Sequence, residues 1–335
     1  MKTLVTSSTA MSLFAVLSIF CSGAGAAPTA LELKVATAYS ADNFQTKNLQ
    51  QFADDVTSAT KGAVNFKIYP AGSLLPPKEI FAGARNGKAD AGEVMMSSLA
   101  KEDAIFGMDS LPFIVSSYED ARHMWAASRA AVAKALDDRG LQLLYAVPWP
   151  PQNIYTTRPI TTTQDFRGQR LRTYNPATER IADLLGAKPV KIEVVDLAKG
   201  IADDKLDLMF TSSWTGVETK AWTKMHNYYR AGAWFPKNVV FINKKVFAGL
   251  DQTQQKILAD IAHTAEMRGW KMSQESDTNF ENQLAANNVT VANVDPFVRR
   301  GLDRIGETLA REWLKQAGRD EWQVLLKYTS ERSQK

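Results

Sequence analysis

The chain has 335 residues, with 40 lysine and arginine residues against 36 aspartate and glutamate residues and a net charge of +4. This length suits two domains rather than one, because domains commonly have ~100 to 200 residues each. The nearly balanced charge and the lack of a lysine or arginine run give no basis for nucleic-acid binding. The single cysteine, Cys21, lies near the N-terminus. A mature chain without it has no disulfide, thiolate nucleophile or thiolate metal site.

The first 26 residues have the pattern of a secretory signal peptide. Lys2 supplies a positive start, residues 10–21 are apolar, and Ala24-Gly25-Ala26 is a small-residue cleavage site. The apolar run is roughly a dozen residues long, shorter than the ~20 needed to cross a bilayer. The residues before Cys21 do not fit a lipidation motif. We therefore expect residues 1–26 to be removed and the mature protein to be periplasmic.

The first half of the mature chain alternates apolar strands with amphipathic helices. Apolar residues at helical spacing, and extended runs closed by proline and glycine, distinguish the two kinds of element. The expected strands are 31–38, 64–69 and 89–96, and the expected helices are 48–58, 79–86 and 118–136. This order is typical of the α/β class with parallel strands.

The second half repeats the alternation. The expected strands are 169–173, 190–194 and 207–211, with helices over 178–185 and 196–202. Asp251 followed three residues later by Gln254 predicts a capping box, which opens a long helix to about Asn287.

Two arginines in the run 169–173 are the most informative residues for function. Side chains alternate along a strand, so Arg170 and Arg172 share one face. A guanidinium stays charged at physiological pH, and its planar fork of donors fits a carboxylate with two parallel bonds. If that face lines a cleft, the ligand is an anion. The alternative is a basic strand end in solvent, where charged residues are usually found.

The chain resembles the periplasmic solute-binding proteins of TRAP transporters (tripartite ATP-independent periplasmic transporters). The resemblance covers nearly the whole mature chain, and it depends on the order and spacing of several short segments. These are Lys34-Val35-Ala36-Thr37, Tyr69-Pro70-Ala71-Gly72-Ser73-Leu74, Gly87-Lys88-Ala89-Asp90, Ser110-Leu111-Pro112-Phe113, Arg158-Pro159-Ile160, Leu185-Gly186-Ala187-Lys188-Pro189-Val190, Lys205-Leu206-Asp207 and Asn243-Lys244-Lys245-Val246-Phe247.

The resemblance implies a two-lobed periplasmic binding protein fold. The ligand cleft is expected between the lobes, and a long helix is expected to span both. Because the chain of such proteins crosses between the lobes more than once, each lobe is discontinuous. We expect residues 27–149 and 238–277 in lobe I, and residues 150–237 and 278–335 in lobe II.

The resemblance also implies a set of ligand-binding residues. Arg172 matches the arginine that binds an organic acid's carboxylate, whereas Gln152 occupies a position where many members have a second arginine. The missing charge favours a monocarboxylate over a dicarboxylate. Further candidates are matched by position or by their place in a loop after a strand, where α/β ligands bind: Tyr39, Met95, Ser97, Ser98, Asn175 and Thr211.

Two tryptophans complete the candidate pocket. Trp149 and Trp214 near one guanidinium indicate a ligand with an apolar or aromatic body. The alternative for each is core or interlobe packing, since tryptophan is highly buried on average. Arg158 and Arg170 remain alternatives to Arg172 as the anion site.

The predicted function is capture of an organic acid anion and its delivery to the subunits of a TRAP membrane permease. The protein is expected to be a monomer without a cofactor, bound metal, nucleic-acid partner or catalytic residue. One alternative is a periplasmic enzyme acting on an organic acid. The three histidines, His123, His226 and His263, have no metal-site spacing, and no G-x-S-x-G motif is present. The other alternative is a binding protein that serves a sensor kinase or chemoreceptor.

Overall fold

Two mixed sheets organise the chain, as seen in a computed structural model that describes residues 30–332 together with Met1 and Leu4. Apart from Met1 and Leu4, the predicted signal peptide lies outside the described residues, and so does its cleavage site. Among the helices within 30–332, none is long and apolar enough to cross a membrane.

The helices and strands alternate along much of the chain. The strands are β1 (Leu31–Thr37), β2 (Val64–Tyr69), β3 (Ala91–Met95), β4 (Leu141–Pro148), β5 (Asn153–Thr156), β6 (Arg170–Thr173), β7 (Lys188–Lys191), β8 (Leu208–Thr211), β9 (Asn227–Arg230), β10 (Lys237–Asn243) and β11 (Thr290–Asn293). The α-helices are α1 (Phe44–Ala59), α2 (Ile80–Arg85), α3 (Tyr118–Asp137), α4 (Pro176–Leu185), α5 (Leu197–Ala202), α6 (Ser213–Glu218), α7 (Lys244–Gly249), α8 (Gln252–Ala286), α9 (Pro296–Gln316) and α10 (Arg319–Arg332). Short 3-10 helices cover Pro77–Glu79, Met96–Leu99, Ala104–Ser110, Thr163–Phe166, Val194–Asp196 and Ala221–Thr223.

Each sheet forms the centre of one lobe. The first has the strand order β2-β1-β3-β10-β4, and the second has the order β11-β9-β5-β8-β6-β7. In the first sheet β10 runs antiparallel to both of its neighbours, and in the second β5 does the same. The remaining strands of each sheet are parallel to one another. This confirms the predicted α/β class.

The two antiparallel strands are the points where the chain changes lobe. β4 of the first sheet leads directly into β5 of the second, and β9 of the second leads back into β10 of the first. The two crossing segments bond to each other: the Trp149 amide donates to the Pro236 carbonyl at 2.8 Å, and the Gln152 amide donates to the Trp234 carbonyl at 2.9 Å. The lobes are therefore joined by a pair of adjacent extended segments, a geometry that suits a hinge.

Helix α8 is the third connection between the lobes. Its N-terminal cap is the predicted capping box, in which Asp251 accepts from the Gln254 amide and Gln254 accepts from the Asp251 amide. The helix packs against α1 and β4 of the first lobe and against α6 and β11 of the second. This confirms the long helix expected to span both lobes.

The hydrophobic cores follow the two sheets. Helix α1 illustrates why its segment is a helix: Leu49, Phe52, Ala53 and Val56, spaced by three and four residues, are all buried. They belong to one large cluster around the first sheet. Two smaller clusters enclose the second sheet.

The C-terminal helix departs from the predicted division into lobes, which placed residues 278–335 in lobe II. Helix α9 packs on the second lobe through Val298, Leu302 and Leu309. Helix α10, however, packs against α3 of the first lobe. Its Val324 and Tyr328 are buried in the first lobe's core because they complete an apolar face of α3. The remaining lobe boundaries stay a prediction.

The predicted strand 190–194 was also wrong in its position. β7 begins at Lys188 and ends at Lys191 because it pairs with β6 from Arg170 opposite Lys188 to Thr173 opposite Lys191. Val194 instead begins a 3-10 turn.

Candidate functional site

A cavity of about 350 Å³ lies between the two lobes, at the carboxyl ends of their parallel strands. Ligands of open α/β sheets bind in this place, because the loops that follow the strands converge there. Seven of the predicted ligand-binding residues line the cavity: Tyr39, Met95, Ser98, Trp149, Gln152, Arg172 and Thr211.

The other three predicted residues connect the lobes beside the cavity. The side-chain Oδ1 of Asn175 caps α4 by accepting from the Thr178 amide at 2.8 Å. The Nδ2 of the same side chain donates to Ser97 Oγ at 2.8 Å. Both polar ends of the Asn175 side chain thus have protein partners. Trp214 packs between Phe44 and Phe280, with ring centroids at 4.8 and 4.5 Å. Its position matches the alternative of interlobe packing.

Arg172 is the charged residue at the base of the cavity. It comes from β6, which lies between β7 and β8, so its side chain projects from an inner strand. The side chain is buried, with 4% exposure, and it stacks over the Tyr174 ring at 4.7 Å. Its Nε donates to the Ile192 carbonyl at 3.1 Å. Within residues 30–332, its two terminal nitrogens have no hydrogen-bond acceptor and no carboxylate oxygen within 4.0 Å.

The two alternative arginines, Arg170 and Arg158, bind other groups of the protein. The Arg170 guanidinium binds the Asp207 carboxylate through Nε at 3.0 Å and through a terminal nitrogen at 2.6 Å. Arg158 is exposed and donates to the Asp165 carbonyl. Neither lines the cavity. Arg172 is therefore the arginine available to an anion in this cavity.

Burial determines the electrostatics of Arg172. Loss of solvent lowers the pKa of its guanidinium, while Tyr174, Glu193 and Tyr39 act in the opposite direction. A buried cation without a partner is costly, and a bound carboxylate removes that cost through charge-assisted hydrogen bonds. At the cavity mouth, Lys78, Lys101 and Lys191 are exposed, along with the carboxylate of Glu102.

An aromatic wall, formed by Tyr39 and Trp149, makes up another side of the cavity. Their ring centroids are 5.0 Å apart with an interplanar angle of 53°. The Tyr39 hydroxyl and the Trp149 Nε1 donate to the same atom, Oδ1 of Asn238, at 3.0 and 2.9 Å. Because their polar atoms are satisfied by the protein, the two rings offer apolar surface to a ligand.

Gln152 lies in the crossing segment between β4 and β5. It is buried, and its Nε2 donates to the Pro150 carbonyl at 3.0 Å. One amide hydrogen is thus bound to the chain, which leaves one N–H and the carbonyl oxygen for a ligand. The side chain adds polarity to the cavity without adding charge.

Contacts between the lobes close the cavity. Besides the bond between Asn175 and Ser97, the carboxylate of Glu218 on α6 accepts from Ser40 Oγ at 2.7 Å and from Asn43 Nδ2 at 3.0 Å. Val194 of the second lobe packs against the core of the first. These contacts hold the two lobes together beside the cavity.

Several lining residues were missed by the sequence analysis. They include Phe81, Tyr174, Lys191, Glu193, Ser212 and Thr215. Tyr174 lies two residues after Arg172, and such spacing places it on the same side of an extended chain. Lys191 is the last residue of β7, the strand beside β6, and Glu193 follows it, so the rule that ligands bind at strand ends would have found them. Phe81 lies on α2, and no sequence signal singles it out.

Comparison with known proteins gives a consistent result. The family model for bacterial extracellular solute-binding proteins, family 7, matches residues 35–316. DctP7, an extracytoplasmic solute receptor of Bordetella pertussis that binds pyroglutamic acid, has a crystal structure with a TM-score of 0.88 and 35% identity, covering 90% of this chain and 100% of that chain. A marine-metagenome TRAP solute-binding protein specific for pyroglutamate has a TM-score of 0.88 and 33% identity, covering 90% of this chain and 99% of that chain.

A more distant relative is a solute-binding protein of Albidiferax ferrireducens. It is 23% identical over 241 residues, which are 70% of this chain and 71% of that protein. The residues matched by the family model include every residue that lines the cavity.

Proposed function

The chain belongs to family 7 of the bacterial extracellular solute-binding proteins, and from this premise we propose that it captures a small cyclic monocarboxylate for a TRAP-type permease. Membership of a solute-binding family agrees with the expectation of a binding protein rather than an enzyme. Its relatives in the TRAP group are receptors for organic acids.

The proposal rests on one observation: within residues 30–332, the two terminal nitrogens of the Arg172 guanidinium have no hydrogen-bond or ion-pair partner. A buried guanidinium in a cavity wall suits one carboxylate, which can accept two parallel hydrogen bonds. Gln152 is uncharged, so it adds no second positive charge to the buried part of the cavity. The lysines at the mouth are exposed and therefore screened by water and salt. One buried cation favours one buried anionic group.

The remaining walls suit the body of a small ring. Tyr39 and Trp149 offer apolar faces, while Gln152, Ser98 and Thr211 offer hydrogen-bonding groups. Pyroglutamate has one carboxylate on a five-membered lactam ring, with one N–H donor and one carbonyl acceptor. Receptors 33 and 35% identical to this chain bind it. Pyroglutamate, or a monocarboxylate of the same size and polarity, is therefore the proposed ligand.

Binding is proposed to drive closure of the lobes. Without a ligand, closure buries the Arg172 charge unpaired, which disfavours the closed form. A carboxylate pairs with that charge and gains roughly 1.5–3 kcal/mol for each charge-assisted hydrogen bond, so the closed form binds it better. Closure about the two crossing segments and α8 then presents one surface, made by both lobes, to the permease.

The proposed location of the protein follows from the predicted signal peptide and from the family. The protein is an extracytoplasmic receptor. Removal of the predicted signal peptide, residues 1–26, places a monomeric mature protein in the periplasm. There it hands its ligand to the membrane subunits, which perform the transport step.

Thermal melting with three small molecules tests which groups of the ligand the protein recognises. L-pyroglutamate carries ring and carboxylate, 2-pyrrolidone carries only the ring, and succinate carries two carboxylates. L-pyroglutamate at about 100 times its Kd is expected to stabilise the protein by about 2.7 kcal/mol. Neither of the other two should raise the melting temperature at equal concentration. An equal effect of 2-pyrrolidone would refute carboxylate recognition, and an effect of succinate alone would refute the monocarboxylate assignment.

A further inference from the structure

A buried acidic residue lies directly beneath the cavity. Glu93 is in the middle of β3 with 1% exposure. Met95, which lines the cavity, is two residues further along the same strand and therefore on the same side of the sheet. Within residues 30–332, no lysine or arginine lies within 4.0 Å of the Glu93 carboxyl group. Ion pairing does not account for its position.

The hydrogen bonds of Glu93 lead to the aromatic wall. Its Oε2 accepts from the Thr37 hydroxyl at 2.6 Å, and its Oε1 accepts from Nδ2 of Asn238 at 3.1 Å. Asn238 is fully buried on β10. Its other end, Oδ1, accepts from both Tyr39 and Trp149. The chain of contacts therefore runs from Glu93 through one amide group to both rings of the wall.

The chemistry of the amide makes this connection directional. Asparagine has a donor at one end and an acceptor at the other. Because the Glu93 carboxyl group holds the Nδ2 end, the Oδ1 end must face the Tyr39 hydroxyl and the Trp149 indole. If the amide turned over, Nδ2 would face two donors and the three groups could no longer bond. Glu93 thus fixes which way Asn238 points.

Burial of Glu93 has a cost that an apolar residue would not have. Removing a carboxyl group from water without a cation is unfavourable, and here burial raises the pKa of Glu93 to about 7. Strand packing alone would be served by an apolar side chain of the same length. The cost is compatible with a role in orienting the groups above it.

We infer that Glu93 is a positioning residue for the binding site. Acting through Asn238, it holds the Tyr39 and Trp149 rings in the orientation that receives a flat ring, and so favours cyclic over acyclic monocarboxylates. This inference rests on the proposed function, because it assumes that the aromatic wall contacts the ligand body.

The test compares two variants of Glu93 with two variants of a matched residue. Glu93→Gln keeps an acceptor for Asn238, whereas Glu93→Met keeps the length of the side chain without an acceptor. Glu266 is the control: it is buried and accepts from the Trp125 indole at 3.1 Å and from the Ala146 amide at 2.9 Å, yet it does not line the cavity. Binding of L-pyroglutamate and of butyrate is measured by calorimetry, and melting temperatures confirm that each variant is folded.

The expected result is selective. Glu93→Met should raise the Kd for L-pyroglutamate at least 10-fold and the Kd for butyrate by less than 3-fold, and Glu93→Gln should restore the wild-type values to within about 3-fold. Glu266→Gln and Glu266→Met should change the melting temperature but neither Kd. A folded Glu93→Met protein with wild-type Kd values for both ligands would overturn the inference. So would an equal weakening of both.

A second readout needs no ligand and separates this inference from the proposed function. The ¹⁵N–¹H resonance of the Trp149 indole, assigned with Trp149→Phe, reports its bond to Asn238. It should move in Glu93→Met and stay in Glu93→Gln, even if the wild type binds no carboxylate. An unmoved resonance in Glu93→Met would overturn the inference.

If Glu93→Met does not fold, Tyr39→Phe replaces it. Removing one of the two bonds to Asn238 should also move the Trp149 resonance. An unmoved resonance would count against the hydrogen bonds that join Asn238 to the two rings.

Discussion

Asn175 Nδ2 donates a 2.8 Å hydrogen bond to Ser97 Oγ, and this bond joins the second lobe to the first beside the cavity. Both side chains are buried. The bond exists only while the lobes are together, so it contributes to the closed form and not to the fold of either lobe. Ser97 is the better partner to change, because Asn175 also caps α4.

Ser97→Ala is expected to weaken ligand binding without a large loss of stability. A typical hydrogen bond contributes about 0.5–1.5 kcal/mol, which corresponds to an increase in Kd of roughly 2- to 12-fold. Because the bond holds the closed state, most of the change should be in the dissociation rate. Stopped-flow tryptophan fluorescence measures that rate. Ser128→Ala is the control, since its buried hydroxyl donates within its own helix to the Met124 carbonyl and the residue does not line the cavity. A wild-type dissociation rate in Ser97→Ala would contradict this role.

The crossing of α8 over the first sheet depends on a glycine. A Cβ at Gly269 would lie 2.4 Å from Val147 Cγ2 and 2.8 Å from Asn48 Nδ2. Gly269→Ala should therefore destabilise the protein by about 1–3 kcal/mol, the usual cost of overpacking. Urea unfolding measures this loss. Gly249→Ala is the control, because a Cβ there meets no atom within 4 Å. Equal free energies of unfolding for the two variants would refute the close approach.

The stability of the protein should depend on pH through Glu93. Burial raises the pKa of Glu93 from 4.5 to about 7, so between these values the folded state binds more protons than the unfolded state. Its contribution to stability is fully present below about pH 4.5 and is lost as the pH rises through about 7. The neighbouring Tyr39 and Tyr145 hydroxyls stay neutral in this range, because burial raises the pKa of each.

Glu93→Gln removes this titration and isolates its effect. The free energy of unfolding of the variant, relative to wild type, should rise between about pH 5 and about pH 8 by up to about 3 kcal/mol. Asp109 and Asp277, whose pKa values burial raises to about 6, are present in both proteins and cancel in the difference. Urea unfolding across this range measures the effect. Parallel stability curves for the two proteins would contradict it.

Local sequence signals predicted much of the fold. The capping box at Asp251 and the apolar spacing of α1 depend on residues close together in the chain, and both were confirmed. The packing of α10 on α3 was missed because it depends on which surface remains apolar after both lobes have formed. The end of β7 was misplaced for a similar reason, since its partner strand β6 sets its length.

The candidate site was harder to predict than the fold. Arg170 and Arg172 have the same side-chain chemistry on the same strand, and the positions of Asp204 and Asp207 make Arg170 an ion pair. Asn238 and Glu93 gave no sequence signal at all, because their link to Tyr39 and Trp149 forms between residues up to 199 positions apart. Such contacts follow from the assembled sheet and not from any local pattern.

Calorimetric titration of L-pyroglutamate into wild type, Arg172→Met and Arg158→Met tests the central claim most directly. Arg172 is buried at the cavity, whereas Arg158 is exposed and lies away from it. Loss of two charge-assisted hydrogen bonds should raise the Kd of Arg172→Met at least about 100-fold, while Arg158→Met binds like wild type. A folded Arg172→Met protein that binds L-pyroglutamate with the wild-type Kd would contradict the assignment of Arg172 as the carboxylate site.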